Sequence, residues 1–262
     1  MTDSAAAPLL LVLNASHRRL RGLLEPLDSA EVRAPAYPTK WTIADAASHL
    51  GSGAVISGLR FAAGAEGAEA PGNDVFGPIW DEWNAKSPEE QVRDAIAADA
   101  AFIDQISAVD DAQRDAWSLE MWGTVADYVG FVQLRVNEHV MHTWDIAVAL
   151  DPAARLDPHG VELLMDQLPP LVRHTAQPHE PLRIHVVTTA PERELLLDLG
   201  GTGDLRAWDG GDAEAELQLS AEGLIRLVYG RLANDHKVTF DPLPIEATGV
   251  DLDDLVACFP GI

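Results

Sequence analysis

The stretch TVADYVGFVQLRVNEHVMHTWDIAVAL, residues 124–150, is the segment around which the rest of the chain is organised. Its polar side chains recur at intervals of three and four residues, which places them on one face of an α-helix; they are Arg135, Glu138, His142 and Asp145. The rest of the segment is mostly apolar, which is typical of a buried helix. A carboxylate and an imidazole buried there cost several kcal/mol unless a partner such as a metal ion pairs with them. Glu138-x-x-x-His142 is therefore predicted to supply half of a metal site.

An ordinary solvated ion pair is the alternative explanation of this spacing, and for an isolated Glu-x-x-x-His it is the commoner one. The metal interpretation is favoured by a third residue of ligand type on another helix. Thr42 and Asp45 have capping-box spacing and predict a helix from Thr42 to about Phe61 that carries His49. Metal sites in helical bundles are built from inward residues of facing helices, as these positions would provide.

Composition limits the class of protein. The chain has 262 residues, 47% of them hydrophobic, and a net charge of −24, so we expect a globular protein that does not bind nucleic acid or anionic membranes. Cys258 is the single cysteine, and no segment has the length and charge pattern of a signal peptide or membrane span. We expect a cytoplasmic protein, either a monomer or a small homo-oligomer.

The order of elements predicts an α+β protein with two domains, residues 1–152 and 153–262. Helices are expected from Pro8 to about Leu27, from Thr42, from Ser87 to about Val109, and from Thr124 with Asp127 as its capping partner. Together they would form an all-α four-helix bundle. The second domain should contain a helix over residues 161–174, strands over residues 182–188, 195–199 and 215–219, a turn-rich segment over 200–211, a helix from Ser220 to about Leu232 and a short last helix over residues 251–259.

The region from Ala62 to Lys86 loses helical periodicity and contains Trp80 and Trp83. Long connections inside a domain are often functional. We expect these tryptophans either to line a substrate cleft or to pack as a hydrophobic flap.

A set of two histidines and one glutamate with an open position is typical of catalytic zinc, although nickel, cobalt or iron would also fit. Asp45 precedes His49 by one turn and Asp145 follows His142 by one turn, so each could orient an imidazole by hydrogen bonding. Capping is the simpler explanation of Asp45, and Asp145 could instead pair with Arg135. His139 follows Glu138 directly and points about 100° away from it around the helix, so it is a poor co-ligand. The remaining histidines are interpreted as ordinary surface or boundary residues.

Two motifs resemble the mycothiol-dependent maleylpyruvate isomerase family: Trp41-Thr42-Ile43-x-Asp45-x-x-x-His49-Leu50 and Arg135-x-x-Glu138-x-x-x-His142-x-x-Asp145-Ile146. The segment Leu227-Val228-Tyr229-Gly230-Arg231 is similar to that family's C-terminal domain. The resemblance implies a DinB-like bundle followed by a sterol-carrier-like domain. It also implies zinc bound by His49, Glu138 and His142, and mycothiol as co-substrate.

By the same resemblance, Arg231 would be a catalytic residue that grips a carboxylate of the substrate or thiol in a site between the domains. A charge that merely complements a helix dipole is the alternative role for Arg231. The implied activity is either cis–trans isomerisation or thiol transfer on a small substrate, with the thiol activated as a metal-bound thiolate. A metal-free module that binds a small apolar ligand or lipid is the competing, non-enzymatic hypothesis.

Overall fold

The computed structural model divides the chain into two compact units, Met1–Asp151 and Pro152–Ile262. The structure describes residues 5–37, 40–177, 180–232 and 244–261. The first unit is mostly helical and the second combines a sheet with short helices. The prediction of an α+β protein that begins with a helical bundle is confirmed.

Four of the helices of the first unit are long and two are short. They are α1 (Ala6–Leu24), α2 (Ile43–Glu66), α3 (Asn73–Ala85), α4 (Pro88–Ser107), α5 (Asp111–Ala116) and α6 (Tyr128–Leu150). Helix α1 packs against α4 and α6, and α2 packs against the same two helices. A short 3₁₀ helix (Glu31–Arg33) lies between α1 and α2. The bundle therefore brings α2 and α6, which carry the candidate ligands, side by side.

Local capping explains where α2 begins. The Thr42 side chain accepts a hydrogen bond from the Asp45 backbone N–H, and the Asp45 carboxylate accepts one from the Thr42 N–H. This capping box satisfies two backbone donors that the first turn of a helix leaves free. It also fixes His49 in the second turn of α2.

The start of α6 differs from the prediction. Residues Thr124–Asp127 form strand β2, which pairs antiparallel with strand β1 (Ser118–Met121), and α6 begins only at Tyr128 with Asp127 as its N-cap. The turn between the strands places Trp122 and Gly123 at positive φ. The capping-box prediction at Thr124 was wrong because strand pairing takes up the backbone that the helix would have used.

The region from Ala62 to Lys86 is also more regular than expected. Helix α2 continues to Glu66 and ends at Gly67 in the left-handed conformation, and α3 follows from Asn73. The indole of Trp117 packs directly against the backbone of α2 at Gly64. A Cβ at this position would lie 2.4 Å from Trp117 Cε2, so the helix can continue past Trp117 only with glycine there. The helix therefore extends past Phe61, where it was predicted to end, because glycine at this position allows close packing.

The second unit contains a five-stranded sheet where three strands were expected. In the order of the sheet the strands are β5 (Asp204–Ala207), β4 (Arg193–Asp198), β3 (Arg183–Thr189), β6 (Ala215–Ser220) and β7 (Glu246–Thr248). Strands β3 and β6 are parallel, and the other neighbours are antiparallel. Strand β5 lies within the segment that was predicted to be only turns.

Four short helices accompany this sheet: α7 (Pro158–Met165), α8 (Leu168–Thr175), α9 (Ala221–Val228) and α10 (Leu252–Cys258). One continuous helix was predicted where α7 and α8 stand. Pro169 and Pro170 lack the N–H that a continuing helix needs, and they are accommodated in the first turn of α8. Within the described residues, none of the helices has both the length and the apolar character needed to cross a membrane.

Candidate metal centre

Three ligand-type side chains converge where α2 and α6 meet. His49 Nε2 lies 3.0 Å from Glu138 Oε2, and His142 Nε2 lies 3.6 Å from the same oxygen. One ligand atom from each of the three residues lies within 4.8 Å of the other two. The structure thus brings together the three residues that the sequence singled out as ligands.

An aromatic ring and the two imidazoles form one side of this cluster. The rings of His49 and His142 are 4.5 Å apart in an edge-on arrangement. The ring of Trp41 lies 5.1 Å from that of His49 and 5.6 Å from that of His142. The contact limits the rotation of both imidazoles and shields one side of them from water.

Asp145 orients His142. Its Oδ2 lies 2.9 Å from His142 Nδ1, and its side chain is fully buried. Because this carboxylate accepts the Nδ1–H proton, Nε2 is the nitrogen of His142 that faces Glu138, and it is the one that would bind a metal once its own proton is released. Such a carboxylate–histidine pair fixes the tautomer that a metal ligand needs. The alternative was an ion pair between Asp145 and Arg135, but Arg135 pairs with Asp99 instead.

The charges in the cluster are shifted in a consistent way. Burial by itself raises the pKa of Glu138, but hydrogen bonds from His142 and His49 outweigh it and hold that pKa far below its usual range. Burial lowers the pKa of His49, against the opposing influence of Glu138. For His142, the hydrogen bonds to Asp145 and Glu138 outweigh burial and raise the pKa. The ionised Glu138 carboxylate therefore lies beside the imidazoles of His49 and His142. Hydrogen bonding to Asp145 contributes to the raised pKa of His142.

The exposure of the cluster suits a site that is open on one side. The His49 and Glu138 side chains are 41% and 53% exposed, whereas His142 is only 12% exposed. Two nitrogen donors and one carboxylate with a free approach match the donor set of catalytic zinc, which keeps one position for water or substrate. The residues present fit a divalent cation.

The other residues singled out from the sequence are placed differently. The Asp45 carboxylate binds the backbone N–H and the hydroxyl of Thr42, so it caps α2 and does not orient His49. Arg135 is buried and its Nη2 lies 2.7 Å from Asp99 Oδ1, so it pairs with a residue behind the cluster. Arg231 belongs to the second unit, is buried, and donates from Nη1 to the Tyr229 carbonyl oxygen at 2.6 Å.

The two tryptophans predicted to line a substrate cleft have different environments. Trp83 is only 4% exposed and belongs to the core between α1, α2 and α4. A Cβ added to Gly51 would lie 2.3 Å from Trp83 Cη2, so the indole fills the space that this glycine leaves. A cleft-lining role for Trp83 is therefore corrected to a packing role. Trp80 is 44% exposed on α3 and lies beside Phe76.

A second polar cluster was missed from the sequence. Asp99 of α4 is fully buried, and its Oδ2 lies 2.7 Å from both His17 Nδ1 of α1 and His139 Nε2 of α6. From the sequence His139 was considered only as a poor co-ligand of Glu138 and His17 only as a surface or boundary residue, but His139 is completely buried and both pair with Asp99. The missed signal was periodicity, because His17 stands four residues after Leu13 and three before Leu20, on the buried face of α1.

The family assignment follows from the segment that contains the three converging ligands. Residues 13–147, just over half of the chain, match the model of the family described as the mycothiol maleylpyruvate isomerase N-terminal domain. The chain belongs to this family. The matched segment of this family member includes His49, Glu138 and His142, together with Asp145.

Solved structures extend the likeness beyond the family segment. The crystal structure of the mycothiol-dependent maleylpyruvate isomerase matches with a TM-score of 0.68 and 12% sequence identity, over 93% of this chain and 93% of that chain. A histidine-to-alanine mutant of the mycothiol-dependent maleylpyruvate isomerase matches with the same values. At this identity the likeness shows a shared fold. No curated protein sequence matches the chain.

Proposed function

We propose that this family member is a divalent-metal enzyme that uses a low-molecular-weight thiol, mycothiol, to isomerise or to thiolate a small electrophilic substrate. The observation that carries the proposal is the convergence of His49 Nε2, Glu138 Oε2 and His142 Nε2 within 4.8 Å. Family membership supports the thiol, because the description of the matching family names mycothiol. Zinc is the proposed metal, since the donor set is the one found in catalytic zinc sites.

A divalent cation in this site would supply Lewis acidity, which lowers the pKa of a coordinated thiol and makes the thiolate available at neutral pH. The protein would contribute the arrangement of the donors. His142 is held by Asp145 in the tautomer with a free Nε2 lone pair, and Glu138 stays ionised at neutral pH. The exposed side of His49 and Glu138 leaves room for a thiol and a substrate to approach.

Both candidate reactions begin with the same bond. The thiol sulfur adds to one carbon of a substrate double bond, and the electron pair moves to an acceptor carbonyl group of the substrate. Rotation about the resulting single bond followed by loss of the thiol gives the isomer. If the thiol is retained and the carbon is protonated, the product is a thioether, as in a transferase.

Arg231 is proposed to bind a substrate carboxylate. In a chain of net charge −24, an anionic substrate requires a local cation, and a guanidinium can grip a carboxylate through two hydrogen bonds. The proposal rests on the family resemblance around Gly230 and Arg231. Metal binding does not require Arg231, because the three proposed ligands all belong to the first unit.

Elemental analysis of protein purified without chelator after expression with zinc tests the metal. We expect one divalent ion per chain in the wild type and none in the double variant His49→Ala, His142→Ala. The matched control is the double variant His159→Ala, His174→Ala, because both of these histidines are exposed; it should keep its metal. A metal-free wild type, or a fully loaded His49/His142 variant, would overturn the proposal.

Cobalt substitution tests the thiol. When mycothiol is added to the cobalt protein, a sulfur-to-metal charge-transfer band should appear in the near ultraviolet. An unchanged spectrum with mycothiol and with simpler thiols would show that no thiol reaches the metal. Metal-assisted hydrolysis would then be the better explanation of the site.

A further inference from the structure

The buried Asp99 carboxylate connects all four long helices of the first unit. His17 of α1 and His139 of α6 both hydrogen-bond to its Oδ2 at 2.7 Å. Arg135 of α6 donates from one nitrogen, Nη2, to Asp99 Oδ1 at 2.7 Å and to the Leu50 carbonyl oxygen of α2 at 2.9 Å. A single side chain of α4 therefore holds α1 and α6 directly and α2 through Arg135.

The residues tied by this cluster are the immediate neighbours of the proposed metal ligands. Leu50 follows His49 in α2, while Arg135 and His139 stand three residues before and one residue after Glu138 in α6. The distance between His49 Nε2 and Glu138 Oε2 is set by the spacing of α2 and α6. Arg135 bridges these two helices beside the ligands, because its own backbone is in α6 and its hydrogen-bond acceptor is in α2.

His17, Asp99 and His139 have the composition of a second metal site, and their ligand atoms also lie within 4.8 Å of one another. The charge balance opposes this interpretation. The Arg135 guanidinium already neutralises Asp99 at a distance of 2.7 Å, and a dication beside it would be repelled. Both ring nitrogens of His139 also have partners already, because Ser16 Oγ lies 2.8 Å from His139 Nδ1 and can donate to it when Nε2 donates to Asp99.

We propose that Asp99 is a positioning residue of the metal centre, which through Arg135 and His139 fixes the helix spacing that sets His49 against Glu138. The inference rests on the proposed function, since it assumes that these ligands bind a metal. It adds a residue of α4, a helix that supplies no ligand. Groups that orient metal ligands from outside the coordination sphere typically change metal affinity by about 10–100-fold when they are lost.

Competitive titration of zinc against a chromophoric chelator, with folded protein, tests the proposal. We expect Asp99→Asn to weaken zinc binding by about tenfold or more, because an amide has one acceptor oxygen where the carboxylate has two. The visible spectrum of the cobalt-loaded variant should shift as well, since the ligands are displaced. A role confined to fold stability would leave both readouts unchanged in the folded protein.

Two further variants serve as controls. Tyr128→Phe removes a buried hydrogen bond of 2.7 Å between α6 and the Ile106 carbonyl oxygen of α4, ten residues away from Glu138, and should leave zinc affinity within about twofold of wild type. His17→Gln loosens only α1, which supplies no ligand, and should behave in the same way.

If Asp99→Asn does not fold, Arg135→Lys tests the hydrogen bond to α2 instead. The shorter lysine ammonium group cannot reach both acceptors, so this variant should also weaken zinc binding by about tenfold.

The possible failures are distinguishable. A wild type that binds no metal overturns the proposed function. A wild type that binds one zinc ion with an affinity unaltered by Asp99→Asn, or by Arg135→Lys, overturns the positioning role alone. Two bound ions in the wild type, one of which is lost in both Asp99→Asn and His17→Gln, would show instead that the Asp99 cluster is itself a metal site.

Discussion

Replacing Gly51 by alanine should destabilise the first unit, although alanine is the better helix former. The added Cβ would lie 2.3 and 2.4 Å from two ring carbons of Trp83 and 2.8 Å from the Ala95 Cα. Ordinary contacts of a Cβ are about 1 Å longer than these, and the Ala95 neighbour is backbone, which cannot rotate away. Overpacking of this kind typically costs about 1–3 kcal/mol, against a gain of at most about 1 kcal/mol in helix propensity.

Gly22→Ala is the matched control. Gly22 lies in the last turns of α1, and a Cβ there would meet nothing within 4 Å. Both variants make the same change in a helix, so the difference between them isolates the overpacking contribution, about 1–3 kcal/mol. We expect Gly22→Ala to be equal to or more stable than wild type.

Thermal unfolding followed by far-ultraviolet circular dichroism measures the difference. For a unit of this size about 1 kcal/mol corresponds to roughly 2–4 °C, so the melting temperatures of the two variants should differ by about 2–12 °C. A Gly51→Ala protein that melts with or above Gly22→Ala would refute the reasoning. It would mean that Trp83 does not occupy the space beside Gly51 and that its cleft-lining role should be reconsidered.

Three further predictions address the site and the buried network. Asp145→Asn should keep the fold but bind zinc about 10–100-fold more weakly, because it no longer fixes the His142 tautomer; an unchanged chelator titration would contradict this. Arg231→Lys should retain its metal content yet lose about tenfold or more in kcat/KM, equivalent to about 1.4 kcal/mol of transition-state binding, whereas near-wild-type kinetics would remove Arg231 from the site. Burial raises the pKa of Asp99, but the charges of His139 and Arg135 outweigh burial and hold the pKa well below 3.8. The ionised form of Asp99 therefore contributes to the free energy of unfolding above about pH 4, and this contribution is lost as the pH falls further. Acid unfolding of Asp99→Asn should therefore begin from a lower stability and depend less on pH below about 4, as urea titrations at several pH values would show.

The local features of the bundle could be predicted from the sequence because they depend on residues a few positions apart. Thr42 and Asp45 form a capping box by virtue of their spacing, and Ser87 and Glu90 do the same at the start of α4. The placement of Glu138 and His142 on one face follows from helix geometry alone. With His49 on another helix, this was enough to name the three side chains that the structure brings together.

The segments that the sequence misread were decided by contacts with other parts of the chain. Thr124 has the spacing of a capping residue, but the pairing of β2 with β1 prevails over it. The loss of periodicity from Ala62 onward suggested an irregular connection, although α2 continues to Glu66 and Gly64 makes room for Trp117. In both cases a contact from outside the segment decides a conformation that local propensity left open.

The sequence by itself determined the four long helices of the bundle approximately, the caps of α2 and α4 and the spacing of Glu138 and His142, because these are fixed by 3.6 residues per turn and by hydrogen bonds to neighbours in the chain. Only the tertiary structure decided that Trp83 packs against Gly51 and that Asp99 meets His17, 82 residues away in the sequence, and His139, 40 residues away. The periodicity of one helix predicts which of its polar side chains face inward. It does not predict which side chains of the other helices they contact. Which groups meet there is set by how the four helices pack, and burial then favours arrangements in which the Asp99 carboxylate and the imidazoles find hydrogen-bond partners.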